Sequence, residues 1–461
     1  MGEANKLGTE QNPLRVAVVG SGPSGFYTTE SIIKSGLAVE ITMLERLPAP
    51  YGLVRYGVAP DHPKLKQAIQ VYEKIAEARP FRFLGNVTVG RDISVSDLSR
   101  THHAVVFTCG AETDRRLGVP GEELPGSHTA TEFVGWYNGH PDFRDREFDL
   151  SHEVAVIIGQ GNVAADVTRI LAKTVDELKH TDIAEHALEA LAESRIREIF
   201  VVGRRGPAQA KFTPKELREF GELEDCASIV DEQDLKLNPQ SELELADKNN
   251  AGNTKNVEIF QRFASQDGAA KHRRCYFRFL KSPVKLLGES RLQKLVLEQN
   301  RLEGEPFAQS ARGTGEYQEL PCGLLFRSIG YHGVPMAGVP FDQRRGVFAN
   351  EGGRIMENGH VVTGLYAAGW IKRGPTGIIG TNRADSVATV GSLLADLEAL
   401  NSDESKAGAE GLYPLLAESQ VRFIDFAQWR RVDEAEIARG QPKGKPREKF
   451  TRVQQMLAVL G

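Results

Sequence analysis

The chain has 461 residues, 40% of them hydrophobic and 26% charged, with a formal net charge of −5. That length exceeds one ordinary domain and gives room for two or three with their own cores, and the slight acidity gives no whole-chain reason to expect nucleic-acid binding. Cys109, Cys226, Cys275 and Cys322 form no C-x-x-C, so no metal site is expected; no run approaches the ~18 apolar residues of a transmembrane helix, and "MGEANKLGTEQNP" has neither the basic nor the apolar region of a secretory signal.

The first element is a buried strand at Arg15–Val19, followed by "GSGPSG", a helix around Phe26–Lys34 and a second strand at Val39–Glu45. This βαβ order implies a parallel sheet. Gly20, Gly22 and Gly25 fit G-x-G-x-x-G, and Glu45 closes the second strand twenty residues on, where an acid binds ribose hydroxyls. A further strand is predicted within His103–Ala111, and the Pro/Gly-rich "LGVPGEELPG" marks a crossover between domains.

A second unit follows, with a strand at Val154–Ile158, "GQGNVA" and a helix over 163–173. Gly159 and Gly161 take the first two fingerprint positions and Ala164 the third. After a helical insertion the next strand, 197–205, ends in Arg204 and Arg205, not in an acid. A carboxylate there would repel a 2′-phosphate, whereas a guanidinium pairs with it. The first site is therefore expected to hold FAD and the second NADPH; the plain alternative for "GRRGP" is a solvated turn. Such a pair of sites turns hydride transfer into single-electron transfer, because a flavin accepts two electrons and releases one at a time. The polar stretch 235–270 reads as helical surface or loop. Strands are predicted within 323–331 and 364–370, and "RADSVATVGSLLADLEAL" as a helix.

"VVGSGPSGFYT", "YGLVRYGVAPDHP", "FVGWYNGHPD", "IIGQGNVAADV", "VVGRRGP", "KELRE" and "GWIKRGPTGIIGTN" resemble the motifs of the adrenodoxin reductase family, NADPH-dependent flavoproteins that reduce [2Fe–2S] ferredoxins. The likeness runs from about Leu14 to "RGQPKGKPREK" and is weakest at 235–270. It implies an α/β fold of glutathione-reductase type with two Rossmann-like domains, the NADP-binding domain (112–330) inserted into an FAD-binding domain (1–111 and 331–461). It also implies FAD contacts at Ser24, Glu45, Leu53, Val89, Trp370, Gly377, Ile378 and Ile379. The implied NADP contacts are Gln160, Gly161, Asn162, Val163, Arg204, Arg205, Glu216 and, shared with the flavin, Gly377. Ser24 departs from the Ala of many members.

Bland readings stand beside these. Thr213-Pro214-Lys215-Glu216 fits a capping box in which Glu216 closes back on the cap, and Trp370 fits a core aromatic. His62 and Asp166, which the resemblance places near the flavin ring as candidate catalytic proton handlers, fit a helix first turn and a helix-dipole partner. A disulfide reductase on the same fold would need a redox cysteine pair beside the flavin, and a non-catalytic NADP-binding protein would not need the FAD site. A quinone reductase is a further alternative.

The implied partner is a [2Fe–2S] ferredoxin serving P450 or iron–sulfur pathways. An acidic one is expected, docking on bases gathered around Arg218 and in the acid-free "KHRRCYFRFLKSPVK", with Lys271, Arg273 and Arg274. A monomer is expected. The C-terminal motif looks more like mitochondrial members, which suggests the mitochondrial matrix, with bacterial cytoplasm as the alternative.

Overall fold

Val16 to Val19 are all buried, the pattern of a central strand in a sheet covered on both faces. The computed structural model describes residues 6–266, 270–401 and 405–461. β1 (Leu14–Val19), β2 (Val39–Glu45), β3 (Phe81–Gly85) and β4 (Ala104–Phe107) pair in parallel in the order β4-β1-β2-β3. Helix α1 (Pro23–Ile33) starts three residues before its predicted onset because Pro23 takes the first turn, where its missing N–H costs nothing.

The chain then builds a second sheet from β5 (Ser127–Thr129), β6 (Val154–Ile158), β7 (Glu198–Val202), β8 (Cys226–Val230) and β9 (Arg273–Arg278). An antiparallel ribbon, β10 (Lys281–Leu287), β11 (Lys294–Glu303) and β12 (Ser310–Pro321), interrupts it before β13 (Leu324–Arg327) completes the order β5-β13-β6-β7-β9-β8. Helix α2 (Asn162–Ala172) follows β6, and α3 (Pro214–Glu219) follows β7. β14 (Asn350–Glu351), β15 (Arg354–Glu357) and β16 (His360–Ala367) return to the first sheet, where β16 lies parallel to β4. One doubly wound domain is thus inserted into another, and β1, flanked by β2 and β4, marks the switch point of the first sheet, where such folds bind ligands.

The polar stretch is helical, but it is not surface throughout. Pro239–Ala246 and Ala251–Ala264 are helices. Val257, Phe260 and Phe263 are buried, and Phe260 packs edge-on against Phe279 with ring centroids 4.9 Å apart. Residues 267–269 of that stretch lie outside the described residues.

The helix Phe426–Gly440 is pinned within the first domain, and the chain after it, with Lys66, reaches the inserted one. Arg55, in the short helix Leu53–Tyr56 after β2, and Glu436 form a fully buried pair at 2.6 Å, with the guanidinium also 4.9 Å from the Trp429 ring centroid. Asp182 of the inserted domain receives Lys66 at 2.6 Å and Lys449 at 2.9 Å. Each pair is desolvated, so losing one member strands a buried charge.

Candidate functional site at the domain junction

At the end of β1 the chain turns through Gly20, whose φ is +104°; a Cβ there would lie 2.8 Å from the Thr108 carbonyl oxygen. At Gly25 it would lie 2.2 Å from the Gly20 carbonyl oxygen. Gly22 differs: nothing lies within 4 Å of the Cβ it lacks. It stands at the start of α1, which has no side-chain cap, so the first-turn N–H groups face an open cradle of the kind that takes an anionic group. Glu45 Oε2 accepts from the Ser21 amide (3.0 Å) and hydroxyl (2.6 Å), and Oε1 from the Leu47 amide (3.1 Å). Oε1 keeps a lone pair for a further donor.

Late residues close over this cradle. Gly369 packs against Ser24, a Cβ there falling 2.0 Å from the Ser24 hydroxyl. Trp370 follows, its ring centroid 5.3 Å from that of Tyr331 and its Nε1 donating to the Thr376 carbonyl at 3.2 Å. Gly377 turns with φ +82°. Beyond it Ile378 is 67% exposed while Ile379 packs into the first domain's core. Leu53 is 39% exposed and Val89 packs beneath the sheet.

The second fingerprint repeats the geometry. A Cβ at Gly159 would meet the Ser328 carbonyl oxygen at 2.1 Å, Gly161 faces open space, and Ala164 is fully buried. The Gln160 side chain turns inward, donating to the Arg278 carbonyl at 3.0 Å, so only its backbone is presented outward. Asn162 Oδ1 accepts from the Thr213 amide at 2.9 Å, tying α2 to the start of α3, and Val163 packs on the core. Arg204 is exposed and Arg205 half-buried. Among the described residues neither guanidinium is in a salt bridge. Burial, and then Arg204 beside it, lowers the Arg205 pKa against the opposing charge of Glu244.

Between the cradles seven charged or titratable side chains from both domains meet, Lys173 among them at 3.2 Å from Asp61. Arg169 of α2, with no exposed side-chain surface, reaches Asp61 (3.0 Å), Asp166 (2.6 Å) and Glu216 (2.9 Å). Its Nη2 lies 3.4 Å from His62 Nδ1, and His62 Nε2 lies 2.7 Å from Glu219 Oε2. A guanidinium only donates, so Nδ1 is the acceptor and the neutral ring carries its proton on Nε2, toward Glu219. Burial disfavours the imidazolium, but the Glu219 bond, with Asp61 and Glu216 nearby, raises the His62 pKa. Burial pushes the Asp166 carboxyl up to about 6 even against Arg169. Asp61 is held well below the usual carboxylate range: burial works against its ionised form, but Arg169 and Lys173 outweigh it.

These bonds draw three side chains away from the local roles their sequence positions suggested, although His62 does open the helix Pro63–Lys66 and the Thr213 hydroxyl does cap α3. Glu216 does not close back on the Thr213 cap. Its amide donates to the Thr213 hydroxyl at 3.4 Å, while its carboxylate is drawn to Arg169. Asp166 is the fifth residue of α2, past the first turn where a dipole acts. The His62 side chain caps nothing.

Two solved or curated proteins decide the family. The mycobacterial protein solved as "Mycobacterium tuberculosis FprA in complex with NADPH" superposes with a TM-score of 0.92 at 43% identity, over 98% of this chain and all of that one. The NADPH-ferredoxin reductase FprA of Mycobacterium leprae is 45% identical over 96% of this chain and 98% of its own length. The chain belongs to the NADPH-dependent ferredoxin and adrenodoxin reductase family. Human mitochondrial NADPH:adrenodoxin oxidoreductase is 43% identical over 98% of this chain and 93% of its own length. Bacterial and mitochondrial relatives thus match almost equally, and the C-terminal motif does not assign a compartment. No protein-family model matches the chain.

A disulfide-reducing member of this fold needs paired cysteines, and all four here are free. Cys109 stands two residues past β4, its thiol pushed up to about 12 by burial and then Glu112. The acid-free basic run is also not the open face its composition suggests. Lys271 donates to the carbonyls of Leu223 and Cys226, and Arg273 to those of Ile196, Ala172 and Lys173. Both cations are spent on strand and helix ends, and Arg278 faces Asp231 and Asp234. Arg218, on α3, is exposed. Among the described residues no helix is long and apolar enough to cross a membrane.

Sequence reasoning missed Arg169, Asp61 and Glu219. The available signal was Arg169 three residues after Asp166, on the helix that the second fingerprint starts.

Proposed function

We propose that this chain takes hydride from NADPH onto FAD and passes electrons singly to a [2Fe–2S] ferredoxin. The observation that carries this reading is the pair of open glycine cradles, on two interlocked parallel sheets, with an arginine pair outside any salt bridge among the described residues beyond the second. Gly20, Gly22, Gly25 and the α1 N-terminus would hold the FAD pyrophosphate, and Glu45 would take a ribose hydroxyl. Ser24, Leu53, Val89, Trp370 and Gly377 to Ile379 would line the flavin. Gln160 to Val163, Arg204, Arg205 and Glu216 would face the nicotinamide coenzyme. FAD when bound accepts an electron pair and releases it in single steps. The protein contributes orientation and exclusion of water, which hydride transfer needs more than an acid or base. The relatives' names carry ferredoxin and adrenodoxin as the acceptor.

The test is direct. The purified protein is expected to show flavin absorption without a covalent link, to bleach under NADPH without oxygen, and to reduce a [2Fe–2S] ferredoxin. A folded, colourless protein that takes up no FAD overturns the reading. The exposed Arg218 and, on β9, the half-buried Arg274 are proposed to steer an acidic partner. Screening acts over ~8 Å at physiological salt, so ferredoxin-dependent turnover should fall steeply with added salt and quinone-dependent turnover much less. Equal sensitivity of both acceptors removes these bases from docking.

His62 and Asp166 are proposed to handle protons at the same junction. Because Asp166 titrates near 6, its acid is largely neutral below that pH and ionised above it. Asp166→Asn is expected to keep full flavin content and to lose the inflection near pH 6 from the turnover profile. Loss of flavin instead would make the carboxyl structural.

A further inference from the structure

The Arg204–Arg205 turn carries two adjacent like charges that, among the described residues, no salt bridge holds, and its backbone is fixed by other means. The antiparallel ribbon fixes it. Asn300, on β11 and only 4% exposed, donates through Nδ2 to the Arg204 carbonyl at 2.9 Å and to the Ser282 hydroxyl at 2.8 Å. Its own amide donates to the Leu280 carbonyl at 2.7 Å, and the Leu280 amide donates to the Arg205 carbonyl at 3.0 Å. The two carbonyls of the arginine pair are therefore held by Asn300 of the ribbon and by Leu280 just before it.

Two irregularities build that arrangement. The β11–β12 register shifts between Glu298 and Asn300, a bulge of the kind that re-aims a side chain beside a site. Leu280 has φ +53°, a left-handed conformation that a branched, non-glycine residue rarely adopts and that here turns its amide toward Arg205. A regular hairpin would need neither.

We infer that Asn300 is a positioning residue for 2′-phosphate selectivity, acting through the Arg204 carbonyl; this rests on the reading that Arg204 and Arg205 take the coenzyme's 2′-phosphate. The ribbon thereby has a role in coenzyme choice that touches no coenzyme. Arg204 swings on four side-chain torsions, so its reach toward a phosphate depends on where its backbone is pinned.

Calorimetric titration of the holoenzyme with 2′,5′-ADP and with 5′-AMP tests this without turnover. Asn300→Ala is expected to weaken 2′,5′-ADP about tenfold, the scale of one hydrogen bond, and to leave 5′-AMP unchanged. Unchanged binding of both, or equal loss of both, overturns the inference. The Arg204→Ala, Arg205→Ala variant is titrated beside it. If that variant still binds 2′,5′-ADP fully, the underlying 2′-phosphate reading fails. If it loses 2′,5′-ADP while Asn300→Ala does not, only the role of Asn300 fails. Should Asn300→Ala not fold, Ser282→Ala decides: it removes the second anchor of the same amide and is expected to weaken 2′,5′-ADP about two- to threefold, with no loss overturning the proposal.

Discussion

In the Arg204→Ala, Arg205→Ala double variant, catalytic efficiency with NADPH is expected to fall by about 10²–10⁴-fold while that with NADH hardly changes. Each charge-assisted hydrogen bond contributes ~1.5–3 kcal/mol, and ~1.4 kcal/mol is tenfold, which sets the range for two. The structure sharpens the expectation. No salt bridge holds either guanidinium among the described residues, so their removal breaks no ion pair and thermal stability should not drop. Burial and the neighbouring Arg204 charge outweigh Glu244 and disfavour the Arg205 cation, so a bound 2′-phosphate offsets a repulsion as well as forming new bonds. The measurement is kcat/KM for both coenzymes beside a melting curve. A retained preference for NADPH would place 2′-phosphate recognition elsewhere. A large fall in melting temperature would show that the pair serves the fold.

Both fingerprints and the arginine pair were legible because each is local. Period, turn glycines and the residue ending the next strand lie within one βαβ unit, so β1, α1, β2 and β6 stand close to where the pattern put them. The helix Ala251–Ala264 was harder, since its apolar stripe of Val257, Phe260 and Phe263 is carried on a polar segment. The acid-free run at 271–285 misled for a physical reason: composition cannot show whether a cation meets solvent or a carbonyl, and Lys271 and Arg273 meet carbonyls. The junction cluster was least legible. Asp61 and His62, Asp166 and Arg169, and Glu216 and Glu219 come from three separate segments, two of them in the inserted domain. In isolation Arg169 reads as an ordinary base on an amphipathic helix. In the fold it is fully buried among carboxylates from both domains.

Replacing Arg169 by Met is expected to destabilise the protein by about 3–5 kcal/mol, the scale for breaking a buried ion pair from one side. Met keeps much of the side-chain volume, so the loss is electrostatic: Asp61, Asp166 and Glu216 remain as close carboxylates without the guanidinium they share. The pH dependence follows from the shifts. Asp61 is depressed in the folded protein, mainly through Arg169 acting against burial, so its contribution to stability is present above its unfolded value near 4 and is lost as pH falls through the lower folded value. Without Arg169, Lys173 at 3.2 Å still favours the ionised Asp61, but most of that contribution is lost at neutral pH. Asp166, already raised to about 6 by burial, rises further. An acid with a raised folded pKa contributes stability below its unfolded value and loses it as pH climbs through the folded one. Both effects make the variant's deficit largest near pH 7.5 and smaller near pH 5, where its carboxyls take up protons while wild-type Asp61 stays ionised. Urea unfolding midpoints of the two proteins at those pH values measure it. A deficit that is the same at both would mean that Arg169 acts by packing. Arg169→Lys keeps the charge but not the planar fork. It should therefore recover part of the neutral-pH stability, because one ammonium cannot reach Asp61, Asp166 and Glu216 together.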